Sequence, residues 1–205
     1  TDKGKKADVS DKLLKDKLVE VEDQGSNQVK PVEKFTRIMG KTQVSEGQMV
    51  NYLKKVYPNA KKEIYGFPGL YLEEGAKEGV RGDIAFAQAL LETGNFKFPN
   101  THISIEQNNF CGLGVTGSGV QGESFESPRI GIRAQIQHLK AYASKEDVKL
   151  EIVDPRYHYV ERANSPYVEW LGAYENPKGT GWAYSPKYGE KILNILDNIA
   201  RMDGR

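Results

Sequence analysis

A glutamate at the end of an apolar segment is the residue whose position most suggests chemistry. Glu92 follows the nearly all-apolar run 84–91 and stands directly before Thr93-Gly94, which predicts a central buried helix over about residues 82–93. A carboxyl group there faces the negative end of the helix dipole among apolar side chains, and both effects raise its pKa. A carboxyl group that stays protonated near neutral pH can serve as a general acid toward a leaving glycosidic oxygen.

The local sequence also allows a plainer interpretation of Glu92. Acids are common at helix ends, and a solvent-exposed glutamate with no role in catalysis fits the same residues. The segments around Glu92 must decide between the two interpretations.

The composition excludes several other kinds of chemistry. The chain of 205 residues carries 29 Lys and Arg against 28 Asp and Glu, so no strong field attracts nucleic acid or anionic lipid. One cysteine, Cys111, leaves no internal disulfide and no multi-cysteine metal site, and the three histidines form no HExxH motif. No apolar run reaches the length of about eighteen residues that a membrane span needs. We expect no nucleic-acid partner, no membrane insertion, and neither a metal nor an organic cofactor.

Helix-start signals indicate a mainly helical domain from Ser45 onward. Ser45-Glu46-Gly47-Gln48 fits a capping box, and the helix that follows should end near Tyr57, before Pro58. A further helix is expected over about residues 68–79. Three more starts combine a serine cap with a proline at the first helical position, namely Ser127-Pro128, Ser165-Pro166 and Ser185-Pro186.

A glycine-rich segment interrupts the helical pattern at residues 108–126. Its glycines alternate with Leu113, Val115 and Val120, which predicts a short β hairpin or lobe after the central helix. The expected fold class is therefore α+β and mainly α, with a helical body and a small β lobe beside it.

Residues 1–44 have a different composition. They are rich in charged residues and contain a single aromatic residue, Phe35, so they can bury little apolar surface. We interpret residues 1–44 as a linker or stalk and residues 45–205 as the folded domain, with a docked helix over residues 11–22 as an alternative. Because the chain begins at Thr1 without a signal-type apolar region, we expect it to be a processed or excised piece.

Four segments in a fixed order resemble a known family. They are GDIAFAQALLETG at residues 82–94, QNNFCGLG at 107–114, SFESPRIGIRA at 124–134 and GWAYSPKYGEKI at 181–192. Together they resemble the glucosaminidase domain of bacterial autolysins, glycoside hydrolase family 73, over about residues 45–202. Each motif alone is weak, whereas the ordered combination is specific.

The resemblance implies a lysozyme-like, mainly helical fold with a cleft between the helical body and a small β lobe. It implies cleavage of the β-1,4 bond between N-acetylglucosamine and N-acetylmuramic acid in peptidoglycan glycan strands. Glu92 matches the general acid of the family, and Tyr188 matches a tyrosine often placed close to the reaction centre.

The same resemblance assigns further residues to the substrate cleft. Four consecutive residues would lead into the β lobe and shape the cleft, and two aromatic rings could stack on sugar faces, with ordinary core packing as the alternative for both rings. These candidates are Gln107, Asn108, Asn109 and Phe110, followed by Tyr174 and Trp182.

A second catalytic carboxylate is less well defined. Many members of the family carry a longer β lobe with a carboxylate proposed to activate water, whereas here the nearby acids are Glu123 and Glu126. We favour Glu123, because Glu126 precedes the Ser127 cap and can serve the helix N-terminus, although a loop acid is usually only solvated. The distance to Glu92 would decide between retaining and inverting chemistry. If neither acid reaches the cleft, the N-acetyl group of the substrate could act as the nucleophile.

Three alternatives remain open at the level of sequence. A lytic transglycosylase or muramidase could use the same scaffold, but the Ser-Gly after the acid and the later Gly-Leu-Met-Gln of transglycosylases are absent. A Cys–His peptidase would pair Cys111 with His138 or His158, but Cys111 falls in a presumed turn and not at a helix N-terminus that would lower its pKa. A wall-binding module without activity would have no use for an acid placed where its charge is unfavourable.

We therefore expect a peptidoglycan hydrolase that is secreted and acts in the bacterial cell wall. A lone cysteine fits a secreted protein without disulfides. The expected partner is the peptidoglycan glycan strand and the expected oligomeric state is a monomer. The charged residues 1–44 would tether the domain to wall-binding domains outside this sequence.

Overall fold

The computed structural model describes residues 35–99, 103–117 and 119–204, together with the backbone of two short strands. Strand β1, Leu18–Val19, pairs antiparallel with strand β2, Val32–Glu33. The helix considered for residues 11–22 lies outside the described residues, apart from Leu18–Val19, which are extended and not helical.

Helices form most of the described structure. In chain order the α-helices are α1 Glu46–Val56, α2 Phe67–Glu78, α3 Gly82–Glu92, α4 Pro128–Ala143 and α5 Tyr188–Ala200. Short 3-10 helices lie at Lys62–Gly66, Ile105–Gln107, Tyr157–Tyr159 and Val168–Leu171. Helix α3 packs against α2, α4 and α5. Among the described residues, no helix is both long and apolar enough to cross a bilayer.

The central position of α3 follows from its composition. All of its residues from Gly82 to Leu90 are buried. At Gly82 the backbone of α2 passes so close that an added Cβ would collide with the carbonyl oxygen of Tyr71. The glycine therefore allows the two helices to touch at this point. The predicted central helix is confirmed, and Glu92 is its last residue.

Two of the predicted helix starts have the expected caps. The Ser45 hydroxyl accepts a hydrogen bond of 3.2 Å from the Gln48 N–H, while the Gln48 side chain accepts one of 2.9 Å from the Ser45 N–H. The capping box that begins α1 is thus confirmed. Ser127 caps α4 in a similar way, because its hydroxyl accepts from the Ile130 N–H at 3.4 Å.

The other two Ser-Pro signals begin helices later than predicted or not at all. Helix α5 begins at Tyr188 after Lys187 in a left-handed conformation, so Ser185 is not its cap. The prediction of an α-helix after Ser165 is wrong, because only the short 3-10 helix Val168–Leu171 forms there. The Ser165 hydroxyl instead donates to the Trp170 carbonyl at 2.9 Å, which holds the chain in a turn.

The predicted β hairpin is wrong. Within residues 103–117 and 119–126 the chain forms the 3-10 helix Ile105–Gln107 and turns, and contains no strand. Gly112 and Gly114 have positive φ angles of 69° and 81°, which interrupt the extended backbone that a strand ladder requires. We call residues 108–126 the glycine-rich loop.

Residues 35–44, which the sequence predicts to be linker, pack against the helical body. Ile38 is fully buried, and its carbonyl oxygen accepts a hydrogen bond of 2.9 Å from the Arg81 N–H at the start of α3. The Ile38 N–H donates to the Pro166 carbonyl at 3.1 Å. The division of the chain into residues 1–44 and 45–205 stays a prediction, but the buried core includes the end of the first segment.

Candidate active site

Glu92 lies at the C-terminal end of α3 and is half-buried. Its side chain lines a cavity of about 300 Å³ that we call the acid cavity. Burial raises the pKa of Glu92, and the hydrogen bond from Tyr188 only partly offsets that increase. The side chain therefore reaches an open cavity from a position that favours its protonated form, as its place in the sequence predicts.

Tyr188, the first residue of α5, contacts Glu92 directly. The Tyr188 hydroxyl donates a short hydrogen bond to Glu92 Oε1 and accepts one of 3.1 Å from Gln88 Nε2. Tyr188 is buried, and burial together with the Glu92 carboxylate raises the pKa of the phenol well above its ordinary value. Tyr188 is therefore a neutral hydrogen-bond donor throughout the physiological pH range.

The wall of the acid cavity is built from three parts of the chain. These are the end of α3, the glycine-rich loop with the residues before it, and the segment that leads into α5. The lining residues are Glu92, Ile103, Cys111, Gly112, Val115, Trp182 and Ala183.

A second cavity of about 240 Å³ adjoins the first. The two cavities share Cys111, Gly112, Val115 and Trp182 as lining residues, so they lie side by side, and we call the two together the groove. The second cavity is also lined by Arg156, Tyr159 and His138. We call it the arginine cavity. The Arg156 guanidinium lies 5.4 Å from the centre of the Tyr159 ring, which is itself 78% exposed.

The three amide residues predicted for the cleft form hydrogen bonds with the backbone of the glycine-rich loop. Gln107 donates to the Gly122 carbonyl at 3.1 Å, and Asn108 donates to the Phe125 carbonyl at 2.9 Å. Asn109 is buried, donates to the Leu113 and Glu123 carbonyls at 2.9 and 3.0 Å, and accepts from the Leu113 N–H at 3.0 Å. These contacts give the three residues an indirect part in shaping the groove. A direct contact with substrate stays a prediction.

The predicted aromatic residues have three different positions. Phe110 is fully buried in the core, 4.9 Å from the Phe67 ring, and its contact with substrate stays a prediction. Trp182 lines both cavities and lies 4.8 Å from the His138 ring. Tyr174 is 67% exposed and forms an edge-to-face pair with Tyr184.

The structure separates the two candidate second carboxylates. Glu123 is half-buried, and an added Cβ on Gly114 would lie 3.0 Å from its Oε1 atom, so its side chain lies against a residue that lines the arginine cavity. Glu126 is exposed. Within the described part of the chain, neither carboxylate is among the residues that line the acid cavity.

Cys111 and His138 both line the arginine cavity but are poorly arranged for a thiol peptidase. Burial, followed by the charges of Glu92 and Asp154, raises the pKa of Cys111 well above its ordinary value. The reactive thiolate is therefore disfavoured. His138 directs Nδ1 at Asp154 Oδ2 at 2.7 Å. Among the described residues, no group of three or more His, Cys, Asp or Glu side chains is arranged to hold a metal ion.

Several residues near the site escape prediction from sequence. Gln88 and Gln135 are fully buried and contact each other, and Arg156 and Tyr159 line the second cavity. A glutamine inside the apolar run of α3 was an available signal, because a buried amide needs hydrogen-bond partners. No comparable signal marks Arg156 and Tyr159, which lie just before and at the end of the short 3-10 helix Tyr157–Tyr159.

The fold and the site together define a class of protein. A mainly helical body carries one half-buried carboxyl group beside a groove of two adjacent cavities. This is the arrangement of a glycoside hydrolase.

The chain belongs to the glucosaminidase family. The profile of that family, described as mannosyl-glycoprotein endo-beta-N-acetylglucosaminidase, matches residues 69–201, which is more than half of the chain. The protein is therefore an enzyme, a glycoside hydrolase of the endo-β-N-acetylglucosaminidase kind. The match confirms the family that the four sequence segments resemble, and it includes Glu92, Trp182 and Tyr188.

Two known proteins are similar to this chain. An uncharacterized protein of Borreliella burgdorferi is 42% identical over 159 residues, which cover 77% of this chain and 72% of the relative. The crystal structure of S. aureus autolysin E in complex with the muropeptide NAM-L-Ala-D-iGlu superposes with a TM-score of 0.52 at 20% sequence identity. That superposition covers 93% of this chain and 87% of the autolysin chain, and it shows a shared fold.

Proposed function

We propose that the protein is a peptidoglycan hydrolase that cleaves the β-1,4 bond between N-acetylglucosamine and N-acetylmuramic acid, with Glu92 as the general acid. The observation that carries the proposal is the placement of Glu92, whose pKa is raised by burial while its side chain reaches the acid cavity. The endo-β-N-acetylglucosaminidase family and the muropeptide bound by the structural relative support the choice of substrate.

The proposed reaction begins with proton transfer from Glu92 to the glycosidic oxygen. The bond between that oxygen and the anomeric carbon breaks, the leaving sugar departs as an alcohol, and Glu92 becomes a carboxylate. Water then adds to the anomeric carbon. The proton that the water loses restores the acid form of Glu92, directly or through the second catalytic group. The hydrogen bond from Tyr188 stabilises the Glu92 carboxylate during this interval.

Glu123 remains our candidate for the second catalytic group. Its side chain lies beside the wall of the arginine cavity, whereas Glu126 is exposed. The alternative is nucleophilic attack by the N-acetyl group of the substrate, which needs no second carboxylate. Loss of activity in Glu123→Gln but not in Glu126→Gln would support Glu123, and unchanged activity in both variants would favour the N-acetyl group.

The groove suits a polymeric sugar substrate. Trp182 lines both cavities, and sugar rings stack on the flat faces of aromatic rings. Arg156 would place a positive charge near the carboxylates of the peptide on N-acetylmuramic acid, or near the lactyl carboxylate of a sugar that carries no peptide. Tyr174, paired with Tyr184 on the surface, is proposed as an outer contact for the strand.

The decisive experiment compares wild-type protein with Glu92→Gln on purified peptidoglycan. We expect release of reducing ends to fall by roughly 10²- to 10⁴-fold, because the amide cannot donate a proton, while the variant still binds the glycan. Glu126→Gln, which changes an exposed acid, is the matched control and should retain activity.

The chemistry of the products tests the bond. Reducing ends made of N-acetylglucosamine support the proposal, muramic acid reducing ends would indicate a muramidase, and anhydromuramic ends a transglycosylase. Normal hydrolysis by Glu92→Gln would show that another group is the acid. Binding without hydrolysis by the wild-type protein would indicate a wall-binding module.

We propose that the enzyme is secreted and acts in the bacterial cell wall as a monomer. This follows from the proposed substrate, which lies outside the cytoplasmic membrane. We further propose that residues 1–44 link the catalytic residues 45–205 to wall-binding domains. Size-exclusion chromatography with light scattering tests the oligomeric state.

A further inference from the structure

A chain of hydrogen bonds between buried polar side chains leads from α2 to Glu92. The Tyr71 hydroxyl donates to Gln135 Oε1 at 2.8 Å, and Gln135 Nε2 donates to Gln88 Oε1 at 2.9 Å. Gln88 Nε2 donates to the Tyr188 hydroxyl at 3.1 Å, and that hydroxyl donates to Glu92 Oε1. The four residues before Glu92 are all buried and lie on four different helices.

A backbone carbonyl fixes the direction of this chain. Gln135 Nε2 also donates to the Ala85 carbonyl oxygen at 2.9 Å, and a carbonyl oxygen can only accept. The amide nitrogen of Gln135 must therefore face Ala85, and its second hydrogen points at Gln88. The Gln88 atom that receives this hydrogen must be the carbonyl oxygen, which leaves the Gln88 amide nitrogen facing Tyr188.

The consequence for Tyr188 is that its hydroxyl accepts on one side and donates on the other. Its single proton cannot be directed at the Gln88 NH₂ group. Within the described residues, the acceptor that the Tyr188 hydroxyl contacts is Glu92 Oε1. Oε1 is thus occupied by a donor whether or not the Glu92 carboxyl group is ionised.

We propose that Gln88 and Gln135 are positioning residues that direct the Tyr188 proton to Glu92 Oε1 and so keep the transferable proton of Glu92 on Oε2. This inference rests on the proposed role of Glu92 as the general acid. In this series of hydrogen bonds the Tyr188 hydroxyl donates to Oε1 and no buried group donates to Oε2. Oε2 is therefore the oxygen that would carry the proton for a substrate in the acid cavity.

The groups that could complicate a pH experiment are identifiable. Tyr188 faces Glu92 from α5, and Cys111 faces it from the glycine-rich loop, while Tyr71 lies at the far end of the chain on α2. Burial is the largest cause that raises the pKa of all three groups well above ordinary values, so they stay neutral while Glu92 titrates. His138, which contacts Asp154, lines the arginine cavity. The charge of Asp154 contributes to the raised pKa of Cys111.

The test reverses the donor–acceptor direction of the hydrogen bonds between residue 135, Gln88 and Tyr188. It uses one nearly isosteric change, Gln135→Glu. The ionised side chain of Gln135→Glu has no donor group, so Gln88 is expected to turn its own NH₂ toward residue 135 and its carbonyl oxygen toward Tyr188. The new charge also raises the pKa of Glu92 through space, and the same change in a Tyr188→Phe background measures that contribution alone. The Tyr188 proton would then be shared with Gln88, and the Glu92 carboxylate would lose its donor. We expect the pKa of Glu92 to rise by about one unit or more, because a hydrogen bond to the charged form is lost.

Two measurements report this change. Carbon-13 NMR of labelled glutamate follows the Glu92 carboxyl group directly, with Glu92→Gln used to assign the signal. The alkaline limb of the pH profile of kcat should move to higher pH by the same amount, with kcat reduced about twofold or more, because the proton becomes free to occupy either of two oxygens.

Gln135→Met is the matched control for simple loss of packing and hydrogen bonds. In that variant Gln88 can keep its NH₂ toward Tyr188, because the Glu92 carboxylate is the stronger acceptor for the tyrosine proton. A clearly smaller pKa displacement in Gln135→Met than in Gln135→Glu supports the proposal. Equal displacements in both variants, or none in Gln135→Glu, would overturn it.

Tyr188→Phe keeps the proposal testable if Gln135→Glu does not fold. Removal of the donor should raise the pKa of Glu92 in the NMR titration, and an unchanged value would show that Tyr188 does not direct its proton there. The NMR readout does not depend on activity. A displaced Glu92 titration in Gln135→Glu with full hydrolysis by Glu92→Gln would refute the proposed function and leave the positioning network intact.

Discussion

Glu92 combines two requirements that normally conflict at the level of a single residue. A buried carboxyl group resists ionisation, yet the general acid that we propose Glu92 to be must become a carboxylate after it has given up its proton. Burial supplies the first property and the Tyr188 hydroxyl moderates it, because its hydrogen bond lowers the pKa that burial raises. Burial thus favours the protonated form of Glu92, and the Tyr188 hydrogen bond keeps its ionised form accessible.

The raised pKa of Glu92 predicts that stability depends on pH in a definite direction. The folded protein binds this proton more tightly than the unfolded chain, whose glutamate has a pKa near 4.5. The stability from this group is complete below that pKa and is lost as the pH rises through the folded value. Glu92→Gln cannot ionise, so we expect it to be more stable than wild type at pH 8 and similar to it near pH 4.

Urea unfolding at the two pH values measures this effect. Glu126→Gln serves as the control, because an exposed acid should give the same small difference at both pH values. A Glu92→Gln protein that is less stable than wild type at pH 8 would contradict the prediction.

The sequence makes Glu92 a candidate acid and the family resemblance makes Tyr188 a candidate, but neither indicates the glutamines that connect them to the core. Glu92 is marked by its place at the end of an apolar run, a local pattern. The contact between Gln88 and Gln135 spans 47 residues, and the contact between Gln88 and Tyr188 spans 100. Such pairs arise from the packing of α3, α4 and α5, which periodicity alone does not specify.

Helices α2 and α4 are joined by an ionic cluster around Glu74. Glu74 Oε1 accepts from Arg129 at 2.7 Å and from Lys77 at 2.8 Å, and Oε2 accepts from Arg133 at 2.8 Å. These hydrogen bonds lower the pKa of the buried Glu74 carboxyl group to about 2, although its burial acts in the opposite direction. Because α4 carries Gln135, the cluster also helps to hold the helix that positions Gln88.

We predict that Glu74→Gln lowers the free energy of unfolding at pH 7 by about 2 kcal/mol, because it leaves two arginines without their buried partner. A lowered pKa stabilises the fold above the unfolded value of 4.5, and this stability is lost as the pH falls toward about 2. The difference between variant and wild type should therefore disappear across that interval. Denaturant unfolding between pH 7 and pH 2.5 checks it, and a difference that stays constant would contradict an electrostatic origin.

The Ser-Pro signals show why the sequence predicts some helices and misses others. Ser127 is free to cap α4, so the local signal and the structure agree. The Ser165 hydroxyl is taken by the Trp170 carbonyl and by the Asn176 side chain at 3.0 Å, so no helix begins there. The glycine-rich loop departs from prediction for a similar reason, because Asn109 binds its backbone where a strand partner would be required. In both cases a side-chain hydrogen bond competes with the local preference.

At the scale of the whole molecule, residues 35–44, which precede all of the α-helices, pack onto the helical body. The Val168 N–H donates to the Thr36 carbonyl at 2.8 Å, and the Thr36 N–H lies 3.0 and 3.1 Å from the two Glu169 carboxylate oxygens. With the buried Ile38, these contacts join residues 35–44 to both α3 and the 3-10 helix Val168–Leu171. Because residues 1–44 as a whole are rich in charged residues, their composition does not indicate that residues near Ile38 are part of the core.

We predict that a chain limited to residues 45–205 is less stable than one limited to residues 35–205. Loss of a buried isoleucine side chain alone costs about 2–4 kcal/mol, which corresponds to roughly 5–15 °C in Tm for a domain of this size. Thermal unfolding followed by circular dichroism compares the two chains. Ile38→Ala in the full chain should show a large part of the same decrease, and equal Tm values for all of these proteins would show that the segment contributes nothing.

The indole ring of Trp182 forms a wall of both cavities, and this has a consequence for inhibition. A compound with one flat group stacked on that ring could extend a basic arm toward Glu92 and an acidic arm toward Arg156. Because Trp182 lines both cavities, the basic and acidic groups can be attached to the flat group through short linkers. Joining two weakly binding fragments through short linkers raises the affinity without the loss of effective concentration that a long flexible linker causes.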